Sequence, residues 1–401
     1  MKNYIILLLI FGSFLPPLAS AQNADNFLLK AGLLVNENHF SEAKEAINQT
    51  TSKDNKQYSR IMADIQYGLK NFREASSIYS ELEKESPGSF QLQLARCAGM
   101  DGNMSKAMEH LNVYFTQKNK LPISKIINDE AFKNFRGNTT WENMWQKIEY
   151  TEAELKVNQV NAAAENGDTQ YLSGLLDEAL RKYSTNSELL YQQSRFFSER
   201  KMYSAAEKSI TQAISYKSAD DKYHYLKAQV LQKNGKTKEA LNSINDAIKR
   251  NPYNAKYYLS RIELNKALGN SEEVNKDLKL INFCLPDNSE VQLAQIKIDA
   301  DKGNYINAID GLNNLIQKDQ TNKDYYLLRG KLSLKTQKLQ NADEDFGMAL
   351  DLNPEDAEAN LGKGIAKYKL QDNSAACYYW QKAANQGNSE AMGYLNKFCG
   401  K

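Results

Sequence analysis

The chain has 401 residues, 25% charged and 41% apolar, a water-compatible composition and a length too great for one compact core. Its 51 basic and 49 acidic side chains nearly cancel, so a net charge of +2 supplies no field to draw in nucleic acid or an anionic membrane. With 7 Pro and 20 Gly the chain is poor in breakers, which favours long uninterrupted helices over a turn-rich β protein.

Residues 1–21 predict a secretory leader. Lys2 supplies a positive start, and Ile5 to Leu15 is an apolar run interrupted only by Gly12 and Ser13. Pro16 and Pro17 then break any helix, and Ala19-Ser20-Ala21 forms a small-x-small cleavage site, so the mature chain is expected to begin at Gln22. The run falls short of the ~20 apolar residues of a membrane span, and no later stretch approaches that length, so no transmembrane segment is expected. No Cys stands at the cleavage site, so no lipid anchor is expected.

The region 22–120 predicts three helical hairpins. Asn38, Phe40 and Ala43 mark the first, and Ala43, Ala75 and Ala107 are spaced by 32. Around Ala75 stand Ala63, Leu69, Asn71, Phe72, Tyr79, Leu82 and Pro87. Ala95, Gly102, Asn103, Leu111 and Tyr114 repeat the pattern around Ala107. Residues 121–152 follow no such frame and crowd Phe132, Phe135, Trp141, Met144 and Trp145 into a short span. Trp141 and Trp145 share a face of a helix capped by Thr139 or Thr140. Two readings apply. The aromatics close the end of the first array and start the second, or Phe132, Phe135, Trp141 and Trp145 form an exposed docking patch.

From 153 to 390 a step of 34 organises the chain into seven units, beginning near Ala153, Ser187, Asp221, Ala255, Ser289, Lys323 and Ala357. One column reads Ala206, Ala240, Val274, Ala308, Ala342, Ala376; four residues on, another reads Ile210, Ile244, Leu278, Leu312, Phe346, Trp380. Small and bulky residues four apart share a helical face, so the first admits a neighbouring helix and the second fills the space beside it. Gly167, Gly235, Gly269 and Gly303 fall between the two helices of a unit, where the chain must leave the right-handed region. Pro252, Pro286 and Pro354 follow the second helix and stop it. Residues 391–401 predict a capping helix and tail, with Met392, Leu395 and Phe398 covering the open face of the final unit.

Chemistry is sparse. His39, His110 and His224 fall in different units, form no metal-spaced pair, and are expected on solvated or groove-lining faces. Cys97, Cys284, Cys377 and Cys399 lack zinc spacing. Cys97 and Cys284 fall in packing columns, whereas Cys377 and Cys399 lie on the last helix and the cap and form the candidate disulfide. The run Asp299 to Asn304 faintly resembles a calcium loop, but its Gly303 comes one place early and Asp310 stands where a closing Glu belongs, so it reads as a turn. No phosphate loop, dinucleotide fingerprint or nucleophile elbow occurs, so no catalytic residue, cofactor or metal is expected.

The pattern resembles the tetratricopeptide repeat, a helix–turn–helix unit of 34 residues with small residues at its eighth and twentieth positions. Tyr325-Tyr326-Leu327-Leu328-Arg329-Gly330, with Ala342, Phe346, Ala349 and Pro354, is close to a full match. Ile262 and Ile296 are large for the eighth site, and Val274 replaces the small twentieth residue. The resemblance implies an all-α solenoid of about ten hairpins in two arrays, each contacting mainly its neighbours. It also implies a non-enzymatic adaptor that binds other proteins in a groove lined by the first helices. The groove columns supply Tyr191, Arg195, Tyr225, Lys233, Lys266, Lys297, Lys331, Lys335, Tyr368 and Lys369, a Lys-rich surface suited to an acidic tail or a carboxyl terminus. With the leader, this points to a bacterial cell-envelope scaffold, periplasmic or else extracellular. The alternatives are a component of an envelope secretion, motility or outer-membrane assembly machine and, more remotely, a glycan- or small-molecule-binding array.

Overall fold

A computed structural model describes residues 18–51, 53, 55–117 and 120–400, with side chains from residue 26 onward. The expected leader lies outside the residues whose side chains are described. Every regular element among the described residues is helical. Three hairpins come first: α1 (Leu18–Asn36) with α2 (Phe40–Asn48), α3 (Lys56–Gly68) with α4 (Phe72–Glu85), and α5 (Gln91–Met100) with α6 (Met104–Phe115). The connecting segment holds α7 (Ile123–Ile127), a 3-10 helix over Glu130–Phe135, and α8 (Thr139–Trp145).

Seven hairpins follow in the 34-residue frame. They pair α9 (Glu152–Asn166) with α10 (Thr169–Lys182), α11 (Ser187–Glu199) with α12 (Tyr203–Tyr216), and α13 (Asp221–Lys233) with α14 (Thr237–Arg250). Next come α15 (Ala255–Ala267) with α16 (Ser271–Cys284), and α17 (Ser289–Asp301) with α18 (Tyr305–Lys318). The last two pair α19 (Lys323–Lys335) with α20 (Leu339–Leu352) and α21 (Ala357–Lys369) with α22 (Asn373–Asn385), before the terminal α23 (Ser389–Phe398).

The boundaries have local causes. Asn186, Asn254, Asn288, Asn322 and Asp356 stand one residue before the first helices α11, α15, α17, α19 and α21, and each accepts from the backbone of the opening turn. Gly235 ends α13's turn at φ +78°, and the same place in other hairpins is held by Lys201, Gln337 and Gln371 at φ +59° to +67°. The repeat geometry therefore imposes the left-handed conformation whether or not glycine is there. Ala206, Ala240, Ala308, Ala342 and Ala376 are buried, as are the bulky residues four places on. Size is traded between facing columns. A Cβ on Gly364 would collide with Trp380 and one on Gly362 with Phe346, so the largest side chains lie on backbone that carries none.

The chain divides into two compact units, 1–285 and 286–401, a different partition from the repeat-based one. In the first, α1 breaks the nearest-neighbour rule. Besides α2 and α3 it packs on α16, where Phe27 meets Phe283 edge-on at 5.5 Å and Lys30 Nζ lies 4.9 Å over the same ring. The helices otherwise pack mainly on their sequence neighbours, as expected, and this seam is the exception among the described residues.

The connecting aromatics are interior, which corrects the docking-patch reading. Phe132, Phe135, Trp141 and Trp145 are all under 10% exposed and share one cluster with Leu111, Phe115 and Ile126. Trp141 and Trp145 cross edge-to-face at 4.9 Å, and Trp145 does the same with Phe115 at 5.8 Å. These residues seal the open face of the α5–α6 hairpin, and an exposed arrangement would leave that face wet.

Candidate functional site

The first helices of unit 1 carry a ladder of tyrosines. Tyr191 on α11 stacks on Tyr223 of α13 at 5.1 Å, and Tyr225 meets Tyr257 of α15 at 4.8 Å. Each ladder has an acidic anchor: Tyr223 donates to Glu188 at 3.0 Å and Tyr257 to Asp221 at 2.6 Å. Burial, with those carboxylates beside them, pushes both phenols far above their usual range, so they remain neutral donors. Lys222 donates to Glu188 at 2.9 Å and spans the Tyr191 and Tyr223 rings at 5.0 and 5.4 Å.

Beside this ladder a cleft of about 580 Å³ opens where the connecting segment meets α9, α11 and α13. Asn158, Asn161, Asn186 and Ser187 line it with amide and hydroxyl groups, and Lys120 and Tyr223 flank them. Its cations are already engaged. Lys120 pairs with Glu154 at 3.3 Å, Lys222 with Glu188, and Lys217 with Asp220 at 3.2 Å. Glu154 also closes a capping box with Thr151 at the start of α9.

The predicted groove residues disperse. In unit 1, Tyr191 and Tyr225 join the ladder, Arg195 turns to Gln192 and Glu199, and Lys233 and Lys266 are exposed. In unit 2, Lys297 is exposed on α17, Lys331 pairs with Glu358, and Lys335 lies 5.5 Å over the Tyr305 ring. Lys369 is exposed at the end of α21, and Tyr368, itself 36% exposed, lies beside the cap, 4.6 Å from Phe398 and 5.6 Å from Trp380. Of these cations Lys331 is paired with an acid of the next hairpin and Arg195 with one of its own helix, while Lys233, Lys266, Lys297 and Lys369 stay exposed.

Other expectations resolve as follows. Cys377 and Cys399 are bonded, with Cα atoms 5.8 Å apart. Leu395 and Phe398 pack on the last hairpin, but Met392 is 46% exposed and does not cover it, because α23 turns Ala391 inward instead. His224 is buried rather than solvated, held by the Ser218 carbonyl at 2.9 Å. Sequence reasoning missed two arginine clamps, each closed on a buried aspartate, Asp277 and Asp345. Arg261 bonds Asp277 of its own hairpin and Asn245 of the preceding one, and Arg329 repeats this with Asp345 and Asn313. The signal was present, since all three residue types recur 68 apart, two periods on.

The tetratricopeptide repeat family model matches residues 221–254, the α13–α14 hairpin. A tetratricopeptide repeat protein from Parabacteroides merdae superposes with a TM-score of 0.53 at 22% identity, covering 61% of this chain and 98% of that one. The APC/C hetero-tetramer Cut9–Hcn1 gives a TM-score of 0.53 at 12% identity, covering 94% of this chain and 84% of that one. No curated protein matches the sequence. Residues 221–254 thus match the tetratricopeptide repeat, and the chain shares its helical-hairpin fold with the solved tetratricopeptide-repeat protein on which it superposes.

Proposed function

We propose that this protein is an exported, non-catalytic scaffold that holds an extended polypeptide segment along the first helices of unit 1. The observation that carries this reading is the juxtaposition of the tyrosine ladder with the amide-lined cleft. Asn158 offers both a donor and an acceptor, Asn161 and Asn186 offer amide N–H donors while their Oδ1 atoms serve Gln192 and the α11 N-terminus, and the stacked rings offer flat apolar contact. With Lys120, Lys217 and Lys222 already paired, recognition rests on hydrogen bonding and ring contact more than on an acidic partner. The disulfide between Cys377 and Cys399 supports an oxidising compartment, and with residues 1–21 read as a leader it favours a bacterial envelope location.

The test is crosslinking in the native cell, followed by mass spectrometry of captured proteins. Partners crosslinked near α9, α11 and α13 and lost in an Asn158→Ala/Tyr191→Ala variant support the reading. Capture unchanged in that variant removes the site. A Lys297→Glu/Lys331→Glu/Lys335→Glu variant tests the basic columns of unit 2 separately, and lost partners there would restore the acidic-tail reading. Export is tested by the mass of the mature chain, which should begin at Gln22.

A further inference from the structure

The cleft of unit 1 has more spare hydrogen-bond donors than spare acceptors. Asn161 gives its Oδ1 to Gln192 Nε2 at 2.8 Å, an orientation fixed by Arg195, which donates to Gln192 Oε1 at 3.2 Å. Asn186 gives its Oδ1 to the backbone N–H groups of Glu188 and Leu189, both at 3.1 Å. Each therefore keeps an Nδ2 group for a ligand, and Asn158, one turn earlier than Asn161 on α9, adds another. The carboxylates are engaged as well. Glu154 accepts from Lys120 and from the backbone and hydroxyl of Thr151, and Glu188 accepts from Lys222 and Tyr223. Lys120, Lys217 and Lys222 each direct an N–H to an acid, and an ammonium has further N–H groups to offer. The rim is apolar: Leu121 is 40% and Tyr216 54% exposed, beside Pro122 and Val157.

An extended segment of ordinary residues brings one N–H for every carbonyl. In this cleft its carbonyls find partners, while its N–H groups lose water and meet few free acceptors, which is costly. Proline carries the carbonyl and no N–H. A run of prolines holds the polyproline II form, with no internal hydrogen bonds and little conformational freedom left to lose on binding. Its rings also supply apolar faces for Tyr216 and Leu121. We infer that the cleft selects a proline-rich segment in the polyproline II conformation, its carbonyls met by the amide groups of Asn158, Asn161 and Asn186. This rests on the reading of the cleft as a polypeptide site and adds the class of segment it takes.

The experiment measures, by calorimetry on the full chain, the binding of an end-blocked peptide of about nine prolines, roughly three turns of the polyproline helix. The reference is a peptide of the same length with Ala at every second position. The proline peptide is expected to bind about tenfold more tightly. Asn161→Asp and Asn186→Asp keep the oxygens that serve Gln192 and the start of α11 and replace only the spare NH2 group. Each should leave the melting temperature near the parent's and weaken the proline peptide by about three- to tenfold. Tyr216→Ala should weaken it too. No binding of the proline peptide, equal affinity for the alanine one, or unchanged affinity in both Asp variants overturns the inference. None of these results bears on the crosslinking at α9, α11 and α13, which decides separately whether a polypeptide occupies the cleft.

Discussion

The residue scale shows most clearly what the repeat geometry demands. The turn inside each hairpin needs a left-handed residue, and Gln337 occupies it at φ +59° with its side chain in solvent. A non-glycine residue there carries a penalty of about 1–2 kcal/mol, partly offset by the greater chain entropy that glycine loses on folding. Gln337→Gly is therefore expected to stabilise the protein by about 0.5–1 kcal/mol, and Gly235→Ala to destabilise it by about 1 kcal/mol, as read by denaturant melts. Nothing lies within 4 Å of a Cβ built on Gly235, so its change reports backbone strain alone. Glu207 offers a second test. The Lys236 ammonium bonded to it at 2.8 Å, helped by Asn234, holds its carboxyl below the usual 4.5. A carboxyl depressed by folding contributes stability above its unfolded pKa and loses it as pH falls through the folded value. Melting temperature should thus decline below about pH 4.5 less steeply in Glu207→Gln than in the parent.

For single elements, the C-terminal helix is the most dependent on one bond. Of α23 only Ala391 is fully covered, while Tyr394 and Phe398 lie half-buried against Trp380 at 4.8 and 6.0 Å. The Cys377–Cys399 bridge closes a 22-residue separation, which corresponds to about 3 kcal/mol in the loop-entropy picture. A Cys377→Ser/Cys399→Ser variant should release α23 to proteolysis and shift Trp380 fluorescence towards that of a wetter site, while unit 1 melts unchanged. Protease resistance equal to the parent's would show that packing alone holds the cap.

Element boundaries and core columns were legible from the sequence because they repeat locally. Every first helix of the 34-residue array starts within one residue of its predicted place, and the alanine and bulky columns are interior. The site was much less legible. Lys331 meets Glu358, Lys222 meets Glu188 and Lys236 meets Glu207, each across a hairpin boundary, so a lysine's exposure depends on acids about 30 positions away. The aromatics of 121–152 were equally ambiguous, since burial and display call for the same residue types until the α5–α6 end face is in view. The seam between α1 and α16 left no periodic mark, because it joins helices far apart in the chain and occurs once among the described residues.

Taken as a whole molecule, the chain separates its cysteines into two kinds. Burial pushes the Cys97 and Cys284 thiols up to about 12, and both side chains are enclosed. A thiol-directed reagent at about pH 8 should label neither in the folded protein and both after denaturation; native labelling would mean that the core around α5 or α16 opens. The same arrangement governs how the chain oxidises as it matures. Four cysteines permit three fully paired patterns, yet the bonded pair belongs to adjacent helices at the end of the chain and finds itself by local folding. Cys97 and Cys284 precede that pair in the chain, and once their hairpins pack, no thiolate is left to invade the bridge. Oxidative refolding without a shuffling catalyst is therefore expected to yield the Cys377–Cys399 bridge alone, which mapping of the bonded peptides by mass spectrometry checks.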